Sequence, residues 1–273
     1  MTRTLRRLAL LLLSCSGCLS FAANADNWFD GLESTIYFGV GKGYHNMLVP
    51  GLEQGLNNDV LFVVSGDVKW GNFFIETPMH RRGTNIFSAS IGYRFYQEQQ
   101  HSWDVIASNY NMWLPDNRVS SASPQLDGLH IRKGDAIRAV RYQYQQQQHL
   151  FAAEAGYDMD SHHGAIGRLS YSYLLPWRNV DLYLNTALTW EGAKVVNYYY
   201  GVHPDEVRTD RPLYVAGAGL KTHLGVSAIY PLAENWQLDG SVGLNLFSRN
   251  YLRSPLVTRS QEEVAIMMVR YVF

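Results

Sequence analysis

The stretch YDMDSHHG brings Asp158, Asp160, Ser161, His162 and His163 together in one short run. A carboxylate that orients an imidazole, an imidazole that takes a proton and a hydroxyl that attacks are the parts of a hydrolytic triad. Imidazoles and carboxylates are also the donors of many metal sites. Neither chemistry follows from the spacing. A triad needs its base oriented by a third group and an oxyanion hole beside the nucleophile. Adjacent histidines on a strand point to opposite faces, which argues against shared ligation. Asp, Ser and Gly favour turns, so the run reads as a polar connection between two strands. The sequence therefore predicts no catalytic, cofactor-binding or metal-ligating residue.

The elements that would hold such a turn are read from the rest of the chain. Arg3, Arg6 and Arg7 precede an apolar stretch from Leu8 to about Phe21, followed by Ala23, Asn24 and Ala25. This is the pattern of a cleaved secretory signal over residues 1–25, with one mature domain over 26–273. Both cysteines, Cys15 and Cys18, fall in that signal. The exported chain thus has neither a disulfide framework nor thiolate chemistry. Without the three signal arginines, Lys+Arg drops from 23 to 20 against 24 Asp+Glu, a net charge of about −4. No nucleic-acid partner is expected, because that would need a basic face.

After the signal, no apolar stretch approaches the length of a spanning helix, and no window shows a convincing helical stripe. Strict alternation is frequent instead. Phe87, Ala89, Ile91, Tyr93 and Phe95 alternate with Ser88, Ser90, Gly92 and Arg94. The same dyad runs from Val180 to Trp190 and from Trp236 to Leu246, which is the signature of a membrane barrel strand with one lipid face and one lumen face. Twelve segments are expected, near residues 32–42, 58–69, 71–79, 85–96, 101–109, 135–147, 149–158, 164–175, 179–190, 219–232, 235–248 and 262–273. The third and fifth carry the weakest signal, and ten strands would remain without them. The fold class is all-β, an antiparallel up-and-down transmembrane barrel.

The connections sort by length, with every long one (near 43–57, 110–134, 191–218 and 249–261) on one side. Outer-membrane barrels have long external loops and short periplasmic turns, which sets the orientation. Trp28, Trp70, Trp103, Trp177 and Trp236 then mark the periplasmic interface and Trp190 the external one. The closing run EEVAIMMVRYVF fits a last strand with Ala265, Met267, Val269, Tyr271 and Phe273 on the lipid face. Tyr271 and the terminal Phe273 resemble the signal by which the barrel-assembly machinery recognises its clients.

Charges on the lumen face mix both signs: Asp67, Lys69, Arg94, Arg141, Glu154, Arg168, Asp181 and Asp239. A charge-selective channel would show a ring of one sign. Mixed charges are expected to pair across a packed lumen or narrow pore, with Asp67, Arg94, Arg168, Asp181 and Asp239 as the leading candidates. Tyr198, Tyr199 and Tyr200 lie in a long external connection, where they are candidate contacts for a partner or members of an interface girdle.

The last eighty residues carry a resemblance. NYYYGV at Asn197–Val202, YVAGAG, GVSAIYPLAENWQLDG, SPLV at Ser254–Val257 and the closing VRYVF are together similar to the MipA/OmpV family of Gram-negative outer-membrane proteins. GLESTIYFGVG and LDGL extend the likeness upstream. FSRNYLRSPLV departs from it, since the family more often carries small and acidic residues before Ser-Pro. The resemblance implies a non-enzymatic barrel in outer-membrane lipid. It would act as a scaffold between a murein-degrading lytic transglycosylase and a murein-synthesising penicillin-binding protein. A small-solute pore and a surface adhesin are the alternatives.

Overall fold

Alternation of this kind can satisfy every backbone donor and acceptor inside a membrane only if the sheet closes on itself. In the structure, a computed structural model that describes residues 31–52, 60–77, 89–111 and 126–273, it does so. Twelve antiparallel strands form one closed barrel: β1 Leu32–Asn46, β2 Leu61–Trp70, β3 Phe73–Glu76, β4 Ser90–Glu98, β5 His101–Ser108, β6 Ile137–Gln146, β7 His149–Asp158, β8 Ala165–Trp177, β9 Val180–Glu191, β10 Gly219–Ala233, β11 Trp236–Phe247 and β12 Gln261–Val272. Each strand pairs with its neighbours in sequence, and β1 closes the sheet on β12 from Tyr37 opposite Val272 to Asn46 opposite Glu263. The two strands with the weakest sequence signal both form, β3 over only four residues. The signal segment, Phe87 and Ser88 lie outside the described residues.

Faces follow the alternation. Met267 is 65% exposed and its neighbour Met268 is 1% exposed, the separation expected between a lipid face and a packed lumen. Lumen-facing Ile266 and Met268 pack with Leu61 and Val63, which accounts for the apolar inner face of the closing strand. In β4 the pairing shifts between Arg94 and Tyr96, so that Phe95 and Tyr96 are both exposed to the outside.

Five two-residue turns, at 71–72, 99–100, 147–148, 178–179 and 234–235, join the strands at the periplasmic end. Gly71, Gln99, Gln147 and Arg178 take positive φ there. For the non-glycine residues this conformation is costly and is held by the strands on either side. The carbonyls of Asn72, Gln100, Gln148 and Asn235 each accept a backbone N–H from the next strand along, so the ladders run through the turns.

The external end contains what alternation did not foretell. Helix α1, Ala193–Tyr200, and the shorter α2, Arg249–Leu252, sit among the long connections with a 3₁₀ turn at Pro204–Glu206. They are short additions in the connections of an all-β fold. Val195 and Val196 are β-branched and a tyrosine run follows, residues that favour strands, so two helical turns leave little periodicity to read. Val195 and Tyr199 of α1 pack with lumen-facing Ile106, Ile137, Ala139 and Ile166 and with Val49, Leu126, Val202 and Leu256 from the connections. Val196, Leu48, Ala216 and Tyr251 make a second cluster beside it. The external connections therefore fold inward as a plug, driven by burial worth about 1.5–3 kcal/mol for each large apolar side chain.

Candidate functional site

The lumen is the part of the molecule where ionisable side chains converge. Its middle is organised around Asp104 on β5, which is fully buried. Arg94 Nε donates to Oδ1 at 2.8 Å, while Arg141 Nη2 and Gln143 Nε2 donate to Oδ2 at 2.8 and 2.6 Å. Arg141 reaches on to Glu76 at 2.5 Å. Both guanidinium groups lie over the ring of Phe74, at 5.7 and 5.2 Å from its centroid. Gly92 makes room for that ring, since a Cβ there would stand 2.2 Å from Phe74 Cζ. Tyr110 donates its hydroxyl to Glu154, whose register partners are Arg141 and Arg168, and Arg168 lies 5.8 Å over the Tyr110 ring. Across the barrel, Asp239 pairs with Arg270 at 2.9 Å, and Arg270 stacks on Tyr37 at 4.6 Å.

The upper lumen is tied to the plug in the same manner. Glu191, at the end of β9, accepts from Tyr251 of α2 at 2.8 Å and from Lys221 at 3.1 Å. Glu262 accepts the backbone N–H of Leu48 and the side chain of Asn245, and Asn245 in turn bonds His223 at 2.8 Å. In the plug itself, Arg132 donates to the carbonyls of Tyr198 and Gly201 and pairs with buried Glu206 at 2.9 Å. Burial would raise the Glu206 carboxyl, but the backbone N–H groups of His203 and His130 and the Arg132 guanidinium outweigh it and hold it below its usual range.

Of the sequence candidates, Arg168 and Asp239 are buried in this interior and Arg94 is half-buried at its edge. Asp67, opposite Glu76, and Asp181 lie on the inward-facing register of β2 and β9 but are exposed near the periplasmic mouth. Tyr198, Tyr199 and Tyr200 are in α1, with Tyr199 only 1% exposed and its hydroxyl bonded to the Lys133 carbonyl at 2.9 Å. The tyrosines belong to the plug, not to an exposed contact loop or a lipid girdle, because α1 turns them toward the lumen. Tyr271 faces outward between Trp236 and the exposed Phe273, with ring centroids 5.1 and 4.8 Å away. Sequence reasoning missed Glu76, Asp104, Tyr110, Glu191, Glu206 and Glu262 as interior groups. Asp104 obeys the alternation of Ser102, Asp104 and Ile106 with His101, Trp103 and Val105, but in a strand of only eight residues the signal was too short to single it out.

The YDMDSHHG run forms the connection between β7 and β8. Asp158 accepts the backbone N–H groups of Ala136, Ser161, His162 and His163 and the Ser161 hydroxyl. The Ser161 proton thus points to a carboxylate and not to a histidine. His162 is buried between Asp135 and Asp158, at 3.6 and 3.7 Å, and its Nδ1 accepts the Gly164 N–H, whereas His163 is exposed. This arrangement ties a turn. Among the described residues, no three His, Cys, Asp or Glu side chains are placed to hold a metal ion.

The profile described as MltA-interacting protein MipA matches residues 38–273. Outer membrane protein Omp26La of Vibrio anguillarum is 24% identical over 198 residues, which cover 71% of this chain and 75% of that protein. Outer membrane protein OmpV of Vibrio cholerae is 23% identical over 105 residues, 38% of this chain and 41% of that protein. The solved NanC porin has a TM-score of 0.44 at 9% identity, covering 86% of this chain and 98% of that one. A closed twelve-stranded barrel with a lipid-facing wall, matched by that profile over nearly all of its length, belongs to the MipA family and resides in the outer membrane.

Proposed function

We propose that this chain is a closed, non-catalytic scaffold of the outer membrane that helps to hold murein-degrading and murein-synthesising enzymes together in envelope maintenance. The observation that carries the reading is the packing of external connections and paired charges into the lumen among the described residues. A plug of external connections occupies its upper part, and the Asp104 network bridges strands below it. A barrel built for passive solute flow would leave a hydrated path between such groups. The family description, which names an interaction with MltA, supports a lytic transglycosylase as one partner. A penicillin-binding protein as the other partner rests on the family resemblance alone. No hydrolytic role is assigned to Asp158, Ser161 and His162, because their hydrogen bonds are used to close a turn.

Docking on the periplasmic side has a physical constraint. A specific interface buries upward of about 1,000 Å², and two-residue turns offer little of it. Contact would have to use the segment from Asp26 to Gly31, the whole periplasmic rim, or partners whose lipid anchors raise their local concentration. The test is an affinity pull-down of the mature chain from detergent-solubilised envelopes, with murein enzymes quantified by mass spectrometry. Enrichment of a lytic transglycosylase or penicillin-binding protein over an unrelated barrel is the expected result. Absence of both, together with steady conductance in planar bilayers, would overturn the scaffold in favour of a pore.

A further inference from the structure

At the external edge of the wall, a pocket of about 420 Å³ is lined by Trp190, Leu220, Ser248, Arg249 and Asn250. Trp190 and Leu220 are register partners on β9 and β10, and both point outward, 45% and 44% exposed. Being on the lipid face at the strand ends, they place one side of the pocket in the outer leaflet. The other side is the start of α2, which is fastened to β10. Leu220 N–H donates to Ser248 Oγ at 3.0 Å, Asn250 Nδ2 donates to the Ala218 carbonyl at 2.5 Å, and Tyr214 donates its hydroxyl to the Asn250 carbonyl at 2.8 Å. Arg249 is therefore held at a fixed height above an exposed indole. Its guanidinium is exposed and has no ion pair or side-chain hydrogen bond among the described residues. Arg253, one helical turn on, is also exposed.

The geometry points to a site for the phosphorylated glucosamine head of an outer-leaflet glycolipid, the lipid A portion of lipopolysaccharide. An arginine fork matches phosphate oxygens with two parallel hydrogen bonds, and it gains strength where water is partly excluded. Here one phosphate meets Arg249, the sugar edge meets Ser248 and Asn250, and an acyl chain lies along Trp190 and Leu220. Charge complementarity selects this occupant: a cation with no ion pair among the described residues stands at the external edge of the wall, where a lipid phosphate would meet its fork. Phospholipid headgroups belong chiefly to the opposite leaflet, and the pocket is at the external rim. Arg138 provides an internal contrast, since it is an exposed cation on the outer wall already paired with Asp160 at 3.2 Å.

The full-length mature barrel, purified in a mild detergent and stripped of lipid, is titrated with rough-type lipopolysaccharide, with the same material after removal of its phosphates, and with phosphatidylglycerol. Binding is read by native mass spectrometry and thermal shift. The site requires saturable binding of the phosphorylated glycolipid, at least tenfold weaker for the other two probes. Arg249→Ala should weaken it about tenfold or more, Arg249→Lys should recover part of that loss, and Arg138→Ala should leave it unchanged. Equal binding to the dephosphorylated form, equal binding to phosphatidylglycerol or an undiminished affinity in Arg249→Ala would each overturn the assignment. Unaltered heat-modified gel mobility of the variants establishes that a loss is not misfolding.

Discussion

At the periplasmic end, five strand pairs are joined by two residues each and the charges near the mouth, Asp67 and Asp181, are exposed. At the external end, the connections are long enough to fold back, bury two apolar clusters and carry paired ions inside them. The short turns are held by the ladders of the wall, since their carbonyls continue those ladders. The plug is held by long-range side-chain contacts, such as Arg132 to Glu206 and Tyr251 to Glu191, between segments far apart in sequence. One end is thus an extension of the sheet, and the other is a small core built within it.

This contrast can be broken most strongly between the two ends, at Asp104. Asp104→Ala leaves Arg94 and Arg141 without their shared carboxylate, and removing one partner of a buried ionic group costs about 3–5 kcal/mol. Urea unfolding in detergent, followed by gel mobility, should show the loss. Replacement by a buried Asn would lose less. Tyr199→Ala acts on the plug alone and should cost about 3 kcal/mol or somewhat more, in the range for large aromatic truncations. The wall should remain folded by circular dichroism, while single-channel conductance should appear in planar bilayers under conditions where the native chain, as a scaffold, is expected to be silent. If the variant is also silent, the plug does not seal the lumen.

A third change sharpens the comparison through pH. Because the folded-state pKa of Glu206 is lowered, its contribution is present above the unfolded carboxylate value and is lost as pH falls through the folded one. Protection of the external connections from proteolysis should hold from neutral pH to the ordinary carboxylate range and fall below it. Glu206→Gln should lose about 1.5–3 kcal/mol of that protection at neutral pH, the scale of charge-assisted hydrogen bonds, and flatten the acid response. The smallest effect belongs to the periplasmic turns. Gln147, at φ 50°, is strained for a side-chain-bearing residue, so Gln147→Gly should be neutral or stabilise by up to about 1 kcal/mol in the same unfolding assay.

The wall was legible in the sequence because a membrane strand must repeat one physical constraint at every second residue. That constraint located the segments near 101–109 and 262–273 as well as the stronger ones, and β5 and β12 occupy them. The interior was legible only where an ionisable residue continued a strong dyad, as Arg94 and Asp239 do. Asp104 obeys the same alternation within a strand of eight residues, and its short run concealed it. The plug was not legible, because α1 is two turns long and built from residues with strand propensity. Its defining pair, Arg132 and Glu206, meets only after the barrel has brought two external connections together.

The closing seam between β1 and β12 has a consequence for the order of assembly. All other ladders join strands that are neighbours in the chain, so each hairpin can form with little loss of chain entropy. The seam joins Tyr37 to Val272, and Phe273 N–H donates to the Ile36 carbonyl at its lower end, while Thr258 N–H donates to the Leu48 carbonyl near its upper end. This joint cannot be made until β12 has been delivered. A growing sheet is therefore left with two unsatisfied edges until β1 and β12 meet, and their pairing ends its vulnerability to pairing with strangers.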